Sequence, residues 1–540
     1  MAIRHDVRSH AHEEGVSGTV NLQAKDGEET HYGQALYPVP SADPNDPLQW
    51  PSWKKHMIMF CCCAFSFLGI SALLGPATYI GLWSAEFGVD PNTAAGLVNY
   101  PNLIFGFGNF VLVPLYRKIG RRPVMLLSLT AYAAGVIGAA EATTYSGLMG
   151  ARMVHAFGSG VCEALPVQLV NDIFFLHERG KKLGWYTIAL CLGATGPMFS
   201  GFMLQAGYSW HLFFYVEFAF AGALLILAFL FAEESMYLRR HDPIPPQQQQ
   251  QQPTSSPSPS SSSPTPKTEE SIFEHELTPP PTLTTTIPPR KTFFQQLRPW
   301  GPTDPTTTWS AAALMPLRSF TYLLVPSTLW VITTYGIFIG LCGFSFNYVF
   351  PLKIVLPPYN WRQSNAGLHA LSTLIGFACA VPFLPASDIL AARLTRRNGI
   401  REAEMWLGVL WPAVLLAAPA GQVLFGVAAA RDWHWWAAYF FYTVTLAYAV
   451  DAHNANLSEQ LIIMSLGKQA ISFGFSLELL NWILEHGYLT IIVGAFVPIL
   501  VVNCLMVAVF MVWGKRMRVA TSRSWVARFH ARTVVEGESH

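Results

Sequence analysis

Charge is what this sequence is short of. Only 12% of its 540 residues are Asp, Glu, Lys or Arg, roughly half the share of an average soluble domain. A chain so poor in charge cannot cover an ordinary water-facing surface, which excludes a soluble globular protein. The eight cysteines (Cys61, Cys62, Cys63, Cys162, Cys191, Cys342, Cys379 and Cys504) all fall inside apolar runs. Their spacing gives neither a disulfide framework nor a zinc site. The sequence shows no phosphate-cradling glycine loop, no metal cluster and no nucleophile triad. No enzyme activity, catalytic residue, cofactor or metal is therefore expected. A formal net charge of +1 offers no basic surface for nucleic acid. Residues 1–55 carry no targeting signature, and the first apolar run begins near Met57, too far along for a cleaved signal peptide.

What is there is hydrophobic: 51% of residues, with a mean hydropathy of +0.31. Twelve apolar runs approach the ~20 residues that a helix needs to cross a bilayer. Six lie at 57–80, 94–115, 124–142, 146–170, 184–206 and 209–232. Six more lie at 322–350, 366–386, 406–428, 434–457, 466–486 and 489–513. The expected fold is an all-α membrane protein of twelve transmembrane helices in two six-helix halves. Its parts are a tail (1–55), a first bundle (56–232), a linker (233–321), a second bundle (322–513) and a C-terminal tail (514–540). The linker holds a glutamine run at 247–252 and Pro/Ser/Thr-rich sequence to about 289. Low complexity from 246 to 289 cannot bury enough apolar surface to offset chain entropy, so disorder and a tether role are expected.

The short loops set the orientation. Those after even-numbered spans hold Arg117, Lys118, Arg121, Arg122, Arg179, Lys181, Lys182, Arg393, Arg396, Arg397, Arg401 and Lys468; those after odd-numbered spans hold Lys353, Arg362 and Arg431. Twelve cations against three place the even loops, both termini and the linker in the cytoplasm. Asn456 heads a glycosylation acceptor triplet but falls on that side, so it is expected to stay unmodified. The densest basic stretch is the turn 114–123, Pro-Leu-Tyr-Arg-Lys-Ile-Gly-Arg-Arg-Pro. Gly120 permits a tight turn there, and Pro123 suits the first turn of the next helix.

The turn, Ile-Gly-Arg-Arg-Pro-Val at 119–124, resembles the loop between helices 2 and 3 of the major facilitator superfamily. Arg152, Gly158 and Gly160 stand where that superfamily has its RxxxGxG element on helix 4. The stretch Gly193 to Gly201, with Gly196 and Pro197, resembles the helix 5 element of proton-coupled exporters. Asp46–Trp50, Asp172–Gly180, Glu233–Tyr237 and Arg397–Glu402 are similar to pieces of the fungal drug:proton antiporter branch. The resemblance runs from Asp46 to about Arg518 and implies alternating access between two halves, a monomer, and a plasma-membrane location. Two positions depart from the pattern. Arg117 stands where the superfamily has an aspartate, and Val113 where it has a glycine. The aspartate is thought to latch the cytoplasmic side, so the latch must be built otherwise; Asp388 near the end of helix 8 is one candidate.

Ionisable residues within spans mark a pathway or a buried pair. Arg152, His155, Ser159 and Glu163 fall on one narrow stripe of helix 4 at ~100° per residue. Pairing of Arg152 with a buried acid is the structural alternative. Glu478 and Asn481 form a second stripe with Glu485 on helix 11, and Glu217 stands alone on helix 6. Arg117, Gly120, Arg121, Arg122, Asp388 and Asp451 are the candidate gate. Asn99 and Asn109 are expected to hydrogen-bond between helices. Gly193, Gly196, Pro197 and Gly201 give close helix packing and a break in the hydrogen-bond ladder.

Three functions fit this reading. The first is proton-coupled efflux of toxic or metabolite-like small organic molecules, driven by an ion gradient with no cofactor. The second is uptake of organic cations such as polyamines, suggested by Glu163, Glu217 and Glu478. The third is a transporter-like sensor. The superfamily's sugar-porter signature after helix 6 is missing, with Glu233-Glu234-Ser235 in its place. Partners beyond the substrate and membrane lipids are not implied.

Overall fold

The computed structural model describes residues 43–237, 290–300, 308–368, 416, 418–433 and 458–522, with 19–20, 401–402, 525 and a few single positions between 370 and 393. Apart from a two-residue antiparallel pairing of Thr19–Val20 with Arg401–Glu402, the described elements are helical. Among the described residues, eight helical stretches are long and apolar enough to cross a membrane: Ser52–Phe87, Pro91–Ile119, Arg121–Ala140, Tyr145–Ile173, Glu178–Gln205, His211–Phe231, Pro326–Val355 and Leu489–Met517. The first six are the first half. The expected spans 366–386 and 434–457 lie largely or wholly outside the described residues, as does the first half of 406–428.

Several of these rods are broken, and the breaks fall at proline and glycine. The first comprises α1 (Ser52–Leu74), a tight turn (Gly75–Tyr79) and α2 (Ile80–Phe87). Next come α3 (Pro91–Ile119) and α4 (Arg121–Ala140). The fourth span splits into α5 (Tyr145–Ser159) and α6 (Leu165–Ile173), the fifth into α7 (Leu176–Gly193) and α8 (Gly196–Gln205), and the sixth is α9 (His211–Phe231). In the linker, past its low-complexity stretch, come the short α10 (Phe293–Gln296) and α11 (Trp309–Ser319). The second half contains α12 (Pro326–Ile337), α13 (Phe344–Val355), α14 (Ala418–Ala430), α15 (Ser458–Ser476), α16 (Leu479–His486) and α17 (Val497–Ser522). Caps set the starts. Asp90 accepts the Thr93 amide at the head of α3, with Pro91 in its first turn; Thr144 and Thr308 do the same for α5 and α11.

One boundary differs from the sequence reading. Lys468, counted there as a loop cation, lies inside α15, which begins eight residues before the expected span. Its charge is neutralised within the protein, as shown below, so the polar opening of α15 had looked like a loop.

Within the first half α4 packs on α5 and α9, and α1 on α7 and α9; between the halves α3 lies along α15. Glycine permits the tightest crossings. A Cβ on Gly108 would strike the Phe157 carbonyl and Gly160, and one on Gly158 would strike the α4 backbone. The two glycines of the helix 4 element are thus contact surfaces for α3 and α4. Gly193 and Gly196 back onto α1 at Phe67, Ile70 and Ser71, while Gly201 and Pro197 meet Gly367 of the second half. Pro197 opens α8 just past the break between α7 and α8.

Candidate functional site: a proline-freed anchor, a basic turn and a polar seam

Proline frees carbonyls in the middle of the bundle. Pro76 and Pro101 have no N–H for the carbonyls of Ala72 and Leu97, four residues before each. Arg152 supplies the missing donors. Its Nε donates to Leu97 O at 2.6 Å, Nη2 to Leu73 O at 3.0 Å and Nη1 to Ala72 O at 3.5 Å. The guanidinium also lies 5.8 Å from the ring centres of Trp83 and Phe214. It is fully buried, and no carboxylate among the described residues pairs with it. Pro166 frees Cys162 O in the same way, and Ser66 Oγ donates to it at 2.9 Å. Arg152 therefore ties α5 to α1 and α3 in place of the acid pairing considered from the sequence.

His155 is equally buried, and neither ring nitrogen has a hydrogen-bond partner among the described residues. Its ring meets that of Tyr132 edge-on at 6.2 Å. The Tyr132 hydroxyl donates to Glu217 at 3.0 Å, and Ser71 donates to the other carboxylate oxygen at 2.7 Å. Glu217 therefore does not stand alone; it belongs to a polar cluster inside the first half. Ser159 donates to Ala156 O within its own helix.

Glu163 leaves this stripe. A continuous helix would keep it in line with Arg152, but the chain tightens at Gly160–Cys162 between α5 and α6, and Glu163 is aimed at the second half. There Lys468 Nζ donates to it at 2.7 Å and Ser465 Oγ at 3.0 Å. Both side chains of the ion pair are about 15% exposed, and Lys468 also sits 5.8 Å from the Tyr335 ring centre.

This pair is one end of a polar seam. Asn92, Asn99, Asn102 and Asn109 of α3 face Ser465, Gln469, Ser472 and Ser476 of α15. Asn109 donates to Ser465 at 2.7 Å, Asn99 to Ser476 O at 3.1 Å and Asn92 to Leu477 O at 3.0 Å. Tyr348 donates to Asn99. The bonding between helices expected of Asn99 and Asn109 is present. Yet Asn92 Oδ1, Asn102 Nδ2, Asn109 Oδ1, Gln469 Oε1 and Ser472 Oγ are buried without partners among the described residues.

The basic turn closes the third group. Gly120 has φ +108°, and a side chain there would run into Glu234. The Glu234 carboxylate accepts the Arg121 and Arg122 amides at 3.0 Å each, covering the free N–H groups that open α4. Arg121 Nε pairs with Asp172 at 3.0 Å; Asp172 also accepts from Ser235 and Gln168. Arg122 donates to the carbonyls of Ala232, Phe229 and Leu297. Lys54 pairs with Glu233. Asp46 caps its own turn through Leu48 N at 3.0 Å, and Lys55 donates to Leu48 O at 2.8 Å. The acids serving the turn are thus Glu234 and Asp172, where the superfamily aspartate is replaced by Arg117. Arg117 itself lies in the last turn of α3.

Glu478 and Asn481 are elsewhere, at the exposed junction of α15 and α16, with Asn481 donating to Glu478 at 2.7 Å. Asp388 and Asp451 lie outside the described residues. Sequence reasoning missed Lys468, Asp172 and Glu234 as partners; prolines four residues after a carbonyl were the signal for Arg152.

Six spans before the linker meeting the described helices after it along a polar seam have the layout of a secondary transporter, and sequence comparison gives it a family. A sequence profile for the Major Facilitator Superfamily matches residues 59–477, and the chain belongs to that superfamily. An uncharacterized MFS-type transporter of Schizosaccharomyces pombe is 22% identical, over 92% of this chain and 90% of that protein. Protein HOL1 of Saccharomyces cerevisiae is also 22% identical, over 96% and 98%. Polyamine transporter 3 of the same yeast is 26% identical over 35% of this chain and 30% of its own length. Among solved structures, a POT family transporter in complex with 5-aminolevulinic acid superposes with a TM-score of 0.54 at 12% identity, over 90% of this chain and 98% of that one. A D-xylose-proton symporter gives 0.53 at 12%, over 84% and 97%. These two share the fold.

Proposed function

We propose that this protein is a proton-coupled carrier that moves small organic molecules across the membrane by alternating access, in the direction of efflux. The supporting observation is the Glu163–Lys468 pair. It joins the two halves inside the membrane, where an isolated charge is costly. When the halves part, Lys468 leaves and Glu163 must find another counter-charge or a proton. A proton taken up on one side and released on the other would couple the cycle to the gradient. The remaining elements of the reading are twelve spans, a monomer, cytoplasmic termini and a plasma-membrane location.

A second reading has its own support. Glu163 already binds an ammonium group, so an organic cation could take the place of Lys468 there. Similarity to a protein named polyamine transporter 3 over about a third of the chain agrees with it. Accumulation profiling of a transporter-depleted host with toxic hydrophobic compounds and spermidine separates the two substrate classes. Glu163→Gln in proteoliposomes tests the coupling: uphill transport should be lost while downhill exchange remains. Proton-driven accumulation by the glutamine variant would remove Glu163 from the mechanism.

A further inference from the structure

The stretches 290–300 and 308–324 follow the low-complexity linker and are held to the basic end of the molecule. The Lys291 amide donates to Asn45 at 3.0 Å, Lys54 donates to the Gln296 side chain at 3.3 Å, and Arg122 donates to Leu297 O at 3.1 Å. Lys118 sits 5.8 Å from the Trp309 ring centre. α11 buries Ala312, Met315, Pro316 and Ser319 on one face and packs through it against α3 and α15.

These attachments use mostly main chain and amide groups, and they leave an unusual set of side chains outward. Trp300 is 74% exposed, Trp309 61% and Leu317 61%. Arg290, Lys291 and Arg298 are exposed beside them. Neither stretch belongs to a membrane span. Large aromatic and aliphatic groups outside the spans, interleaved with cations at the basic end, have the chemistry of a surface lying at the headgroup level. Tryptophan favours that depth, and each lysine or arginine near an anionic surface adds attraction.

We propose that 290–300 and 308–324 form a docking surface for anionic phospholipid headgroups. Arg290, Lys291 and Arg298 meet the phosphates and carboxylates, while Trp300, Trp309 and Leu317 enter the acyl boundary. Because α11 touches both α3 and α15, lipid bound here holds the helix that spans the seam, and Arg122 links the same stretch to the basic turn.

Amide hydrogen exchange of the full-length protein tests this in nanodiscs of phosphatidylcholine alone or with phosphatidylserine. Exchange in both stretches should slow roughly tenfold with phosphatidylserine. The triple variant Arg290→Gln, Lys291→Gln, Arg298→Gln should return it to the phosphatidylcholine rate, with α4 and α9 unchanged as a folding control. Equal exchange in the two lipids overturns the proposal, as does slowing that the triple variant retains. Protection in phosphatidylcholine alone that disappears when 247–289 is deleted also overturns it, since the linker would then be the occupant.

Discussion

At the basic turn every acid has a donor: Glu234 takes two α4 amides, Asp172 takes Arg121, and Glu233 takes Lys54. In the seam between α3 and α15, five buried polar atoms have none among the described residues. The turn joins elements of one half, whereas the seam joins the halves to each other. Arg122 Nε is buried without a partner at the turn among the described residues, but the turn's acids are all met. A network so paired costs heavily to break, and an under-satisfied one gains when water reaches it. The contrast agrees with the alternating-access cycle proposed above: the turn and the Arg152 anchor tie one half together, and in that cycle the seam would be where the halves part.

The largest effect should come from breaking the anchor. Arg152→Met leaves the Ala72 and Leu97 carbonyls without donors and should cost about 3 kcal/mol. The check is thermal unfolding in detergent, with membrane abundance as a second readout. Adding Pro101→Ala restores an N–H for Leu97 O and should recover part of the loss. If that double variant is no more stable than the single one, the proline-freed carbonyl is not what Arg152 satisfies.

Next is the turn. Glu234→Ala uncovers the α4 amides and should cost about 2 kcal/mol, again read by thermal unfolding. Glu234→Gln keeps an acceptor oxygen and should fall between. The same substitutions should leave the intrinsic affinity for substrate unchanged, because the turn binds none of the seam groups. A variant that bound substrate more weakly while unfolding like the native protein would place the turn in the pathway.

The family, the two halves and the basic turn were legible because they rest on hydropathy, charge and motif spacing, which are local properties. Partnership was less legible. Arg152 looked like one member of an ion pair because the cost of its burial was visible, while the carbonyls that meet it become visible only through Pro76 and Pro101. Glu163 was placed on the same stripe as Arg152 by a wheel that assumes one unbroken helix. The tight turn at Gly160–Cys162 breaks that assumption. Lys468 was read as a surface cation, since an isolated lysine inside a span is expensive; its carboxylate lies 305 residues away in the chain, where no periodicity could reach it.

The smallest effects should come from the seam, and they discriminate most finely. Asn99 and Asn102 lie one helical turn apart on α3 and are both 2% exposed, so burial alone predicts the same penalty for either. Asn99 donates to Ser476 O and accepts from Tyr348, whereas the Asn102 amide nitrogen has no partner among the described residues. Asn99→Ala should therefore cost about 1–2 kcal/mol in unfolding free energy. Asn102→Ala should change stability by less than about 0.5 kcal/mol, because removing an unsatisfied donor offsets the packing lost with it. Transport should rank the other way. An unpartnered amide in the seam is free to meet water or substrate once the halves separate, so Asn102→Ala should alter substrate affinity more than Asn99→Ala does. Equal stability losses for the two variants would mean that the seam is packed as tightly as the turn, and the contrast between a fixed half and a parting interface would no longer hold.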